Sequence, residues 1–343
     1  MTSKRIKNME EFAEVSGISR PTLSKFFQDP GSVRQTTRAR IEGALEEYDF
    51  RPNIFAINQN RKLTKTIGIV VPYISDPVFG EIARTIERRC IAAGFRAILF
   101  SAHGQRDYEN EALESLRAQR PSGVLLAPLG RDSDAQEIAR FCEDVPTVIF
   151  DRNIDGVGEA FVGSDNMSFV SQSVEYLTRT GEPPCFFEMR NPSNPNSIAR
   201  RQHYQTSMEK LGLEPMVVQV DGEGWDMERI GYEGGVRALS ERAFETNTIL
   251  CSNDRLAIGF LAASYEKGLR VGRGEGCALR VAGHDNHPFS QFTCPPLTTV
   301  AHEYDTVSNA GVEMLFDLIE AGGRFDARRE KRFPARLILR ASA

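Results

Sequence analysis

Beyond about residue 65, short apolar runs alternate with segments whose apolar residues recur every three or four positions. The runs TIGIVVP, RAILFS, GVLLAPL and PTVIFD predict buried strands, because short apolar runs between turn signals are typical of strands covered on both faces. The intervening segments, such as 79–94, carry apolar stripes at helical spacing. This alternation predicts parallel sheets covered by helices, which is an α/β fold.

The same alternation resumes in the second half of the chain, with the runs EPPCFFEM, MVVQV, NTILCS and ALRVAGHD. About ten strands are too many for one compact sheet, so we expect two doubly wound, parallel-sheet lobes. We place the first lobe at about 66–164 and 298–326, and the second at about 165–297 and 327–343. Lobes of this kind bind ligands at the carboxyl ends of their strands, and the crevice between them is the natural site.

Residues 1–50 have the different pattern of a small all-helical head. Asn8 is placed to cap a first helix that ends at Gly17, and Ser19 is placed to cap a second helix with Leu23 and Phe26 on its apolar face. Two short helices joined by a glycine-containing turn form a helix-turn-helix unit. A third helix at about 35–48 would cover both, and residues 51–65 read as a linker.

Composition indicates a soluble globular protein, with 41% hydrophobic and 26% charged residues. No apolar run approaches the roughly 20 residues of a membrane span. The first residues, MTSKRIKNMEEF, lack the apolar core of a signal peptide, which predicts a cytoplasmic location. The six cysteines are scattered without a C-x-x-C pair, and we interpret them as reduced core residues.

The net charge of −5 is divided unevenly along the chain. Residues 1–65 carry a net charge of +4, and residues 66–343 carry −9. A basic head on an acidic body indicates that the head meets an anion.

Motifs of catalysis are missing from the sequence. There is no G-x-S-x-G, no P-loop and no H-E-x-x-H. GRGEG (272–276) reads as a turn, and HDNH (284–287) has no further cysteine or histidine nearby to complete a metal site. We therefore expect no enzymatic activity, no cofactor and no metal.

Seven motifs together resemble the lactose/galactose repressor (LacI/GalR) family over essentially the whole chain. They are FAEVSGIS, TLSKFF, TRARI, RPN, KTIGIVVP, CSNDRLAIG and PPLTTV. The resemblance implies a DNA-binding head, a hinge segment and two periplasmic-binding-protein-like lobes. It further implies a homodimeric transcriptional regulator, a repressor, that binds double-stranded operator DNA under the control of a small-molecule effector and has no membrane partner.

The resemblance also assigns roles to residues of the second helix. Arg20, Ser24 and Lys25 lie where members of the family read bases in the major groove. Pro21 offers no side-chain hydrogen bond, so it could touch only an apolar group such as a thymine methyl. Ser19 and Thr22 are better placed for phosphates.

In the hinge, the resemblance implies minor-groove contacts from Asn53, Ala56 and position 59. The family usually has a leucine wedge at that last position, whereas this chain has Gln59. Glutamine can form hydrogen bonds in the minor groove but unstacks bases less readily, so we expect DNA binding with less bending by a wedge.

For the effector, the resemblance implies a set of cleft positions at strand ends. Each also has a structural interpretation, as a helix cap or a core residue. The set is Asp76, Phe79, Asp151, Arg200, Trp225, Asn253, Asp285 and Tyr304.

The chemistry of this set favours a sugar, polyol or sugar acid, because carboxylates and amides bind hydroxyls and flat aromatics suit a sugar ring. Arg200 adds a position for an anionic or carbonyl group. A purine or nucleoside is the alternative effector. A periplasmic-type solute-binding protein or a sugar-processing enzyme is a less favoured class, since the first needs a signal peptide and no helix-turn-helix, and the second needs a catalytic pair.

Overall fold

The computed structural model describes residues 5–50, 64–192 and 195–343. The predicted hinge contacts Asn53, Ala56 and Gln59 lie outside the described residues. The chain divides into two compact units, Met1–Thr64 and Lys65–Ala343, called the head and the core below.

The head contains the three helices that the pattern predicts: α1 (Met9–Ser16), α2 (Arg20–Gln28) and α3 (Gln35–Glu47). Asn8 caps α1 by accepting a hydrogen bond from the Glu11 N–H at 2.9 Å, and Gly17 ends that helix with a φ of 62°. Phe12, Leu23 and Ile41, one from each helix, are fully buried in a shared core.

The head also contains a feature that its pattern does not predict. Strands β1 (Arg5–Ile6) and β2 (Asp49–Phe50) pair in parallel. This pairing brings Phe50 onto Phe12, with ring centroids 4.4 Å apart. The helical head is therefore closed by a short strand pair that joins its two ends.

The helices and strands of the core follow the predicted alternation and continue it to the end of the chain. Their bounds are β3 (Thr66–Val71), α4 (Pro77–Ala92), β4 (Arg96–Ser101), α5 (Arg106–Gln119), β5 (Gly123–Leu126), α6 (Ala135–Asp144), β6 (Thr147–Phe150), β7 (Ala160–Ser164), α7 (Asn166–Thr180), β8 (Cys185–Met189), α8 (Pro195–Lys210), β9 (Met216–Val220), α9 (Met227–Ser240), β10 (Thr248–Cys251), α10 (Asp254–Glu266), β11 (Arg280–Ala282), β12 (Thr299–Ala301), α11 (Tyr304–Glu320), β13 (Arg329–Phe333) and β14 (Arg336–Ile338).

Two parallel sheets define two lobes within the core. The first is six-stranded, with the order β13-β7-β6-β5-β3-β4, and the second is four-stranded, with the order β11-β10-β8-β9. All neighbouring strands within these two sheets are parallel. The predicted fold class, a helical head with an α/β core of two parallel-sheet lobes, is confirmed.

The chain crosses between the lobes near β7, β12 and β13, and one predicted lobe boundary is wrong. The sequence boundary assigned 327–343 to the second lobe, yet β13 pairs with β7 in the first sheet. Of the two strands in this range, only β14 lies outside the first sheet, because it pairs antiparallel with β12. The sequence REKRF of β13 is charged and mostly exposed. It contains no apolar run, so the pattern of hydrophobic residues does not predict this strand.

Helices α9 and α10 of the second lobe pack in backbone contact. A Cβ on Gly259 would overlap the carbonyl oxygen of Glu228 and lie 2.5 Å from the Tyr232 nitrogen, while a Cβ on Gly231 would lie 2.9 Å from Leu256 Cα. Glycines at these positions therefore set the distance between the two helices. No helix among the described residues is long and apolar enough to cross a membrane.

Candidate nucleic-acid interface and ligand cleft

The polar face of α2 lies opposite the buried side chains of that helix. Ser19, Arg20, Pro21 and Lys25 are exposed, and Thr22 and Ser24 are half-buried. Leu23 and Phe26 pack into the head core instead. The structure therefore brings all six sequence-predicted side chains of this helix to its accessible side.

Ser19 does not cap α2 through its side chain, so that prediction is wrong. It occupies the cap position, but its hydroxyl pairs with the Thr22 hydroxyl at 2.8 Å. Arg20 forms an ion pair with Glu10 of α1 at 2.9 Å, and both side chains are about two-thirds exposed at 65%. The first turn of α2 carries no acidic residue, which leaves a positive helix end open to an anion.

In the core, a buried network joins Arg200 to Asp285. Arg200, on α8, is 1% exposed. Its NH1 donates to the Ser252 carbonyl at 2.7 Å and to Asp285 Oδ2 at 3.3 Å, and its NH2 donates to Asp285 Oδ1. The NH2 group also lies 3.3 Å from His302 Nε2. Both terminal nitrogens of the guanidinium are therefore held by protein groups.

Asp285 remains ionised in this network. Burial by itself would raise the pKa of its carboxyl group, but the Arg200 guanidinium and the hydrogen bond with His302 hold that pKa well below its usual range. Asp285 follows β11 with a φ of 113°, a backbone conformation that few non-glycine residues adopt. The carboxylate is therefore oriented by both the backbone and its partners.

The network lies where the chain crosses between the lobes. His302 follows β12, and its Nδ1 lies 2.6 Å from the hydroxyl of Ser164 at the end of β7. Its ring stacks on Phe169 of α7 at a centroid distance of 4.0 Å, and the Arg200 guanidinium lies 4.9 Å from that ring. His302 thus links both crossing segments to the charged pair, and it also lines a cavity of about 230 Å³ together with Tyr304 and Val78.

A second group of contacts joins the two lobes at Trp225. The indole stacks on Tyr73, which follows β3, at a centroid distance of 5.4 Å and an interplanar angle of 18°. Asp76, the cap of α4, lies 3.5 Å from NH1 of Arg255 on α10. Burial raises the pKa of Asp76 to about 6, although Arg255 opposes this rise. Glu228 on α9 accepts two further hydrogen bonds from Arg255, at 2.7 and 2.6 Å.

The other predicted effector residues fall into two groups. Asp151, with a φ of 62°, and Tyr304 belong to the charged environment of the network, because the pKa of Tyr304 is raised well above its usual value first by burial and then by Asp285 and Asp151. Phe79 is buried in the apolar core, and Asn253 caps α10 by accepting from the Leu256 N–H at 2.9 Å. These contacts of Phe79 and Asn253 are structural, and their predicted effector contacts stay predictions.

Sequence reasoning missed Tyr73, His302 and Arg255. Tyr73 lies in the loop after β3, three residues before the predicted position Asp76, and that proximity could have identified it. His302 lies two residues before Tyr304, and Arg255 lies two residues after Asn253. They were adjacent to predicted positions, but only the tertiary contacts distinguish them from surface residues. Within HDNH, His284 has a structural role, because it is fully buried and contacts the Ser173 hydroxyl and the Cys251 carbonyl.

Comparison with known proteins matches both units. The family profile "Bacterial regulatory proteins, lacI family" matches residues 8–53, and "Periplasmic binding protein-like domain" matches residues 176–343. The ribose operon repressor of Escherichia coli (strain K12) is 25% identical over 313 residues, which cover 91% of this chain and 92% of that protein.

Solved structures show the same fold. The Lac repressor dimer bound to operator and the anti-inducer ONPF matches with a TM-score of 0.82 at 22% identity, covering 99% of each chain. A LacI family transcriptional regulator from Enterococcus faecium with bound ribose matches with a TM-score of 0.68 at 21% identity, covering 81% of this chain and 98% of that one.

A helix-turn-helix head followed in one chain by a two-lobed α/β core defines a class, the effector-binding transcriptional regulators. Within that class, this chain combines a head that matches the lacI family of bacterial regulatory proteins with a periplasmic-binding-protein-like core, and its relatives are repressors of the LacI family. The predicted resemblance to that family and the predicted regulatory function are confirmed.

Proposed function

We propose that the protein is a homodimeric repressor that acts in the cytoplasm and holds operator DNA through α2. A small, neutral, polyhydroxylated effector between the two lobes would set its affinity for that DNA. The observation that carries the proposal is the buried Arg200–Asp285–His302 network, because it presents an oriented carboxylate in the cleft of a chain that also bears a DNA-binding head. The proposal includes no catalytic step.

The exposed end of α2 supports the DNA part of the proposal. The amino-terminal end of α2, which the Ser19 side chain does not cap, and the Ser19–Thr22 hydroxyl pair, which keeps one O–H free to donate, suit phosphate oxygens. Arg20 and Lys25 are exposed on the same helix, and such side chains read guanine in the major groove. Arg20 would exchange its contact with Glu10 for one with DNA. The linker residues Asn53, Ala56 and Gln59 remain proposed minor-groove contacts.

Arg20→Ala should weaken operator binding much more than Arg38→Ala does. Each arginine is an exposed head residue paired with a glutamate at 2.9 Å, but only Arg20 lies on the proposed reading face. Loss of a bidentate base contact costs about 1–3 kcal/mol, which corresponds to roughly 5–150-fold in affinity. The operator would first be found by mapping the protein's binding sites in its genome, and affinities would then be measured by gel shift. Equal losses for both variants would contradict the assignment of α2.

The state of Arg200 favours a neutral effector over a sugar acid. A carboxylate or phosphate is recognised by both terminal nitrogens of a guanidinium. In Arg200, both of these nitrogens already donate to Asp285, and NH1 also donates to the Ser252 carbonyl. We therefore assign Arg200 the role of orienting Asp285. The Asp285 carboxylate then accepts hydrogen bonds from effector hydroxyls.

Buried polar atoms near this network support the same class of effector. The Ser252 hydroxyl and Arg200 Nε are buried and have no hydrogen-bond partner among the described residues. Buried donors of this kind require an acceptor, and hydroxyl and ring oxygens of a sugar or polyol are acceptors. A nucleoside is less well matched, because Tyr73 already occupies one face of Trp225. The relatives named as a ribose operon repressor and as a ribose-bound regulator agree with a sugar.

Calorimetric titration of the full chain would test the effector class. We expect saturable heat with a neutral sugar or polyol and none with sugar acids or nucleosides. Asp285→Asn should reduce effector affinity by tenfold or more, because loss of a charged acceptor costs about 1.5–3 kcal/mol. The control is Asp221→Asn, which changes an exposed carboxylate of the same lobe, paired with Arg190 at 2.9 Å. Binding of acids or nucleosides in preference to neutral compounds would overturn the assignment.

A further inference from the structure

We propose that Tyr73, Asp76 and Gly104 of the first lobe and Trp225 and Arg255 of the second form a clasp that holds the lobes together and sets the strength of the effector response. These five residues are called the clasp below. The existence of the clasp is independent of what the protein regulates. Its effect on operator affinity rests on the proposed function.

The aromatic half of the clasp is a stack between residues of different sheets. Tyr73 leaves the six-stranded sheet at the end of β3, and Trp225 precedes α9 of the four-stranded lobe. Their rings are 5.4 Å apart and nearly parallel, the offset geometry that aromatic pairs prefer. Trp225 is only 8% exposed, so the stack also shields the indole from water.

Gly104 makes this stack possible. It follows β4 with a φ of 72°, and a Cβ there would lie 2.5 Å from Trp225 Cδ1 and closer still to Nε1. The indole therefore packs directly on the backbone of the other lobe. Any residue with a side chain at position 104 would push Trp225 away from Tyr73.

The ionic half of the clasp is a chain of charges across the same edge of the cleft. Arg255 is held on its own lobe by two hydrogen bonds to Glu228, at 2.7 and 2.6 Å. It reaches Asp76 of the other lobe at 3.5 Å. Asp76 is fixed in turn, because it accepts a hydrogen bond from the Val78 N–H at 3.0 Å as the cap of α4. Both side chains of the ion pair are already held in place on their own lobes, so forming the pair costs little conformational entropy.

These contacts exist only while the two lobes are close together. Separation of the lobes would break the stack and the ion pair at once and would expose Trp225. The clasp therefore contributes to the equilibrium between closed and open cores, and an effector that binds between the lobes shifts that same equilibrium. Substitutions at clasp residues that do not contact the effector would therefore change how strongly the effector alters operator affinity.

Gly104→Ala in the full chain is the sharpest test, with Gly94→Ala as its matched control. Both glycines have a left-handed φ, 72° and 76°, so alanine strains both to a similar degree, but nothing lies within 4 Å of a Cβ at Gly94. Trp225 is the only tryptophan, so its emission reports on the clasp alone. We expect a shift of its emission to longer wavelength and a larger radius of gyration by X-ray scattering for Gly104→Ala only. Identical results for both variants would overturn the clasp.

Tyr73→Ala, compared with Tyr265→Ala, provides a second test that does not strain the backbone. Tyr265 is 87% exposed, and its removal should leave Trp225 emission unchanged, whereas Tyr73→Ala should shift it to longer wavelength. Unshifted emission in Tyr73→Ala would also overturn the clasp. In both clasp variants the ratio of operator affinities with and without effector should change several-fold. Altered emission in a protein that binds no operator would instead contradict the proposed function and leave the clasp supported.

Discussion

Asp285→Ala is expected to lower the free energy of unfolding of the core by about 3–5 kcal/mol. Its partner Arg200 is 1% exposed and would keep its charge in the interior without a carboxylate beside it. Breaking a buried pair by removing one member costs this much because it leaves an uncompensated charge. The measurement is urea unfolding followed by the emission of Trp225, which reports on the core because the head contains no tryptophan.

Two variants serve as controls for this result. Asp285→Asn keeps an acceptor of the same shape for Arg200, so its loss of stability should be smaller than that of Asp285→Ala. Asp221→Ala removes a carboxylate from an exposed pair with Arg190, where the expected cost is at most about 1 kcal/mol. A loss in Asp285→Ala no larger than that in Asp221→Ala would mean that the network contributes little to stability.

Gly259→Ala should destabilise the core by about 3 kcal/mol or more. The added methyl group would meet the carbonyl oxygen of Glu228 and the Tyr232 nitrogen on the facing helix. These are backbone atoms, so no side-chain rotation can relieve the overlap, and α9 and α10 must move apart. Overpacking of a core costs about 1–3 kcal/mol and occasionally more.

Gly80→Ala is the matched control, since Gly80 also lies inside a helix and a Cβ there has nothing within 4 Å. Alanine is a better helix former than glycine by about 1 kcal/mol, so this variant should be slightly more stable than the wild type. The two substitutions are chemically identical, and opposite shifts in the urea midpoint would identify helix contact as the cause. A Gly259→Ala protein as stable as the wild type would contradict the close packing.

The ends of the secondary-structure elements could be read from the sequence where a local rule applies. Asn8 and Gly17 bound α1 because side-chain capping and a left-handed φ are decided within a few residues. The runs GVLLAPL and NTILCS contain β5 and β10, in which every residue is buried, since burial on both faces leaves a continuous apolar run. Ser19 shows the limit of such rules. Its hydroxyl could form a hydrogen bond either with the backbone of α2 or with the Thr22 hydroxyl, and in the structure it pairs with Thr22.

The candidate site could be predicted only as a list of positions. Resemblance supplied Arg200, Asp285 and Trp225, but whether Arg200 faces an effector or a protein carboxylate depends on atoms 85 residues apart in sequence. Phe79 was predicted as a cleft position, and its side chain is buried in the apolar core. A phenylalanine at that position suits either environment, so its identity alone could not decide between them.

The sequence by itself determined the alternation of strands and helices, the helical head and the division of charge between head and core, because periodicity, capping and composition are properties of neighbouring residues. Only the tertiary structure decided that β13 joins the first sheet, that His302 links the crossing segments to Arg200, and that Tyr73 and Arg255 reach across the cleft to Trp225 and Asp76. These contacts join residues far apart in the chain. Their energies depend on distance and burial, which are fixed only when both sheets and their crossings have formed.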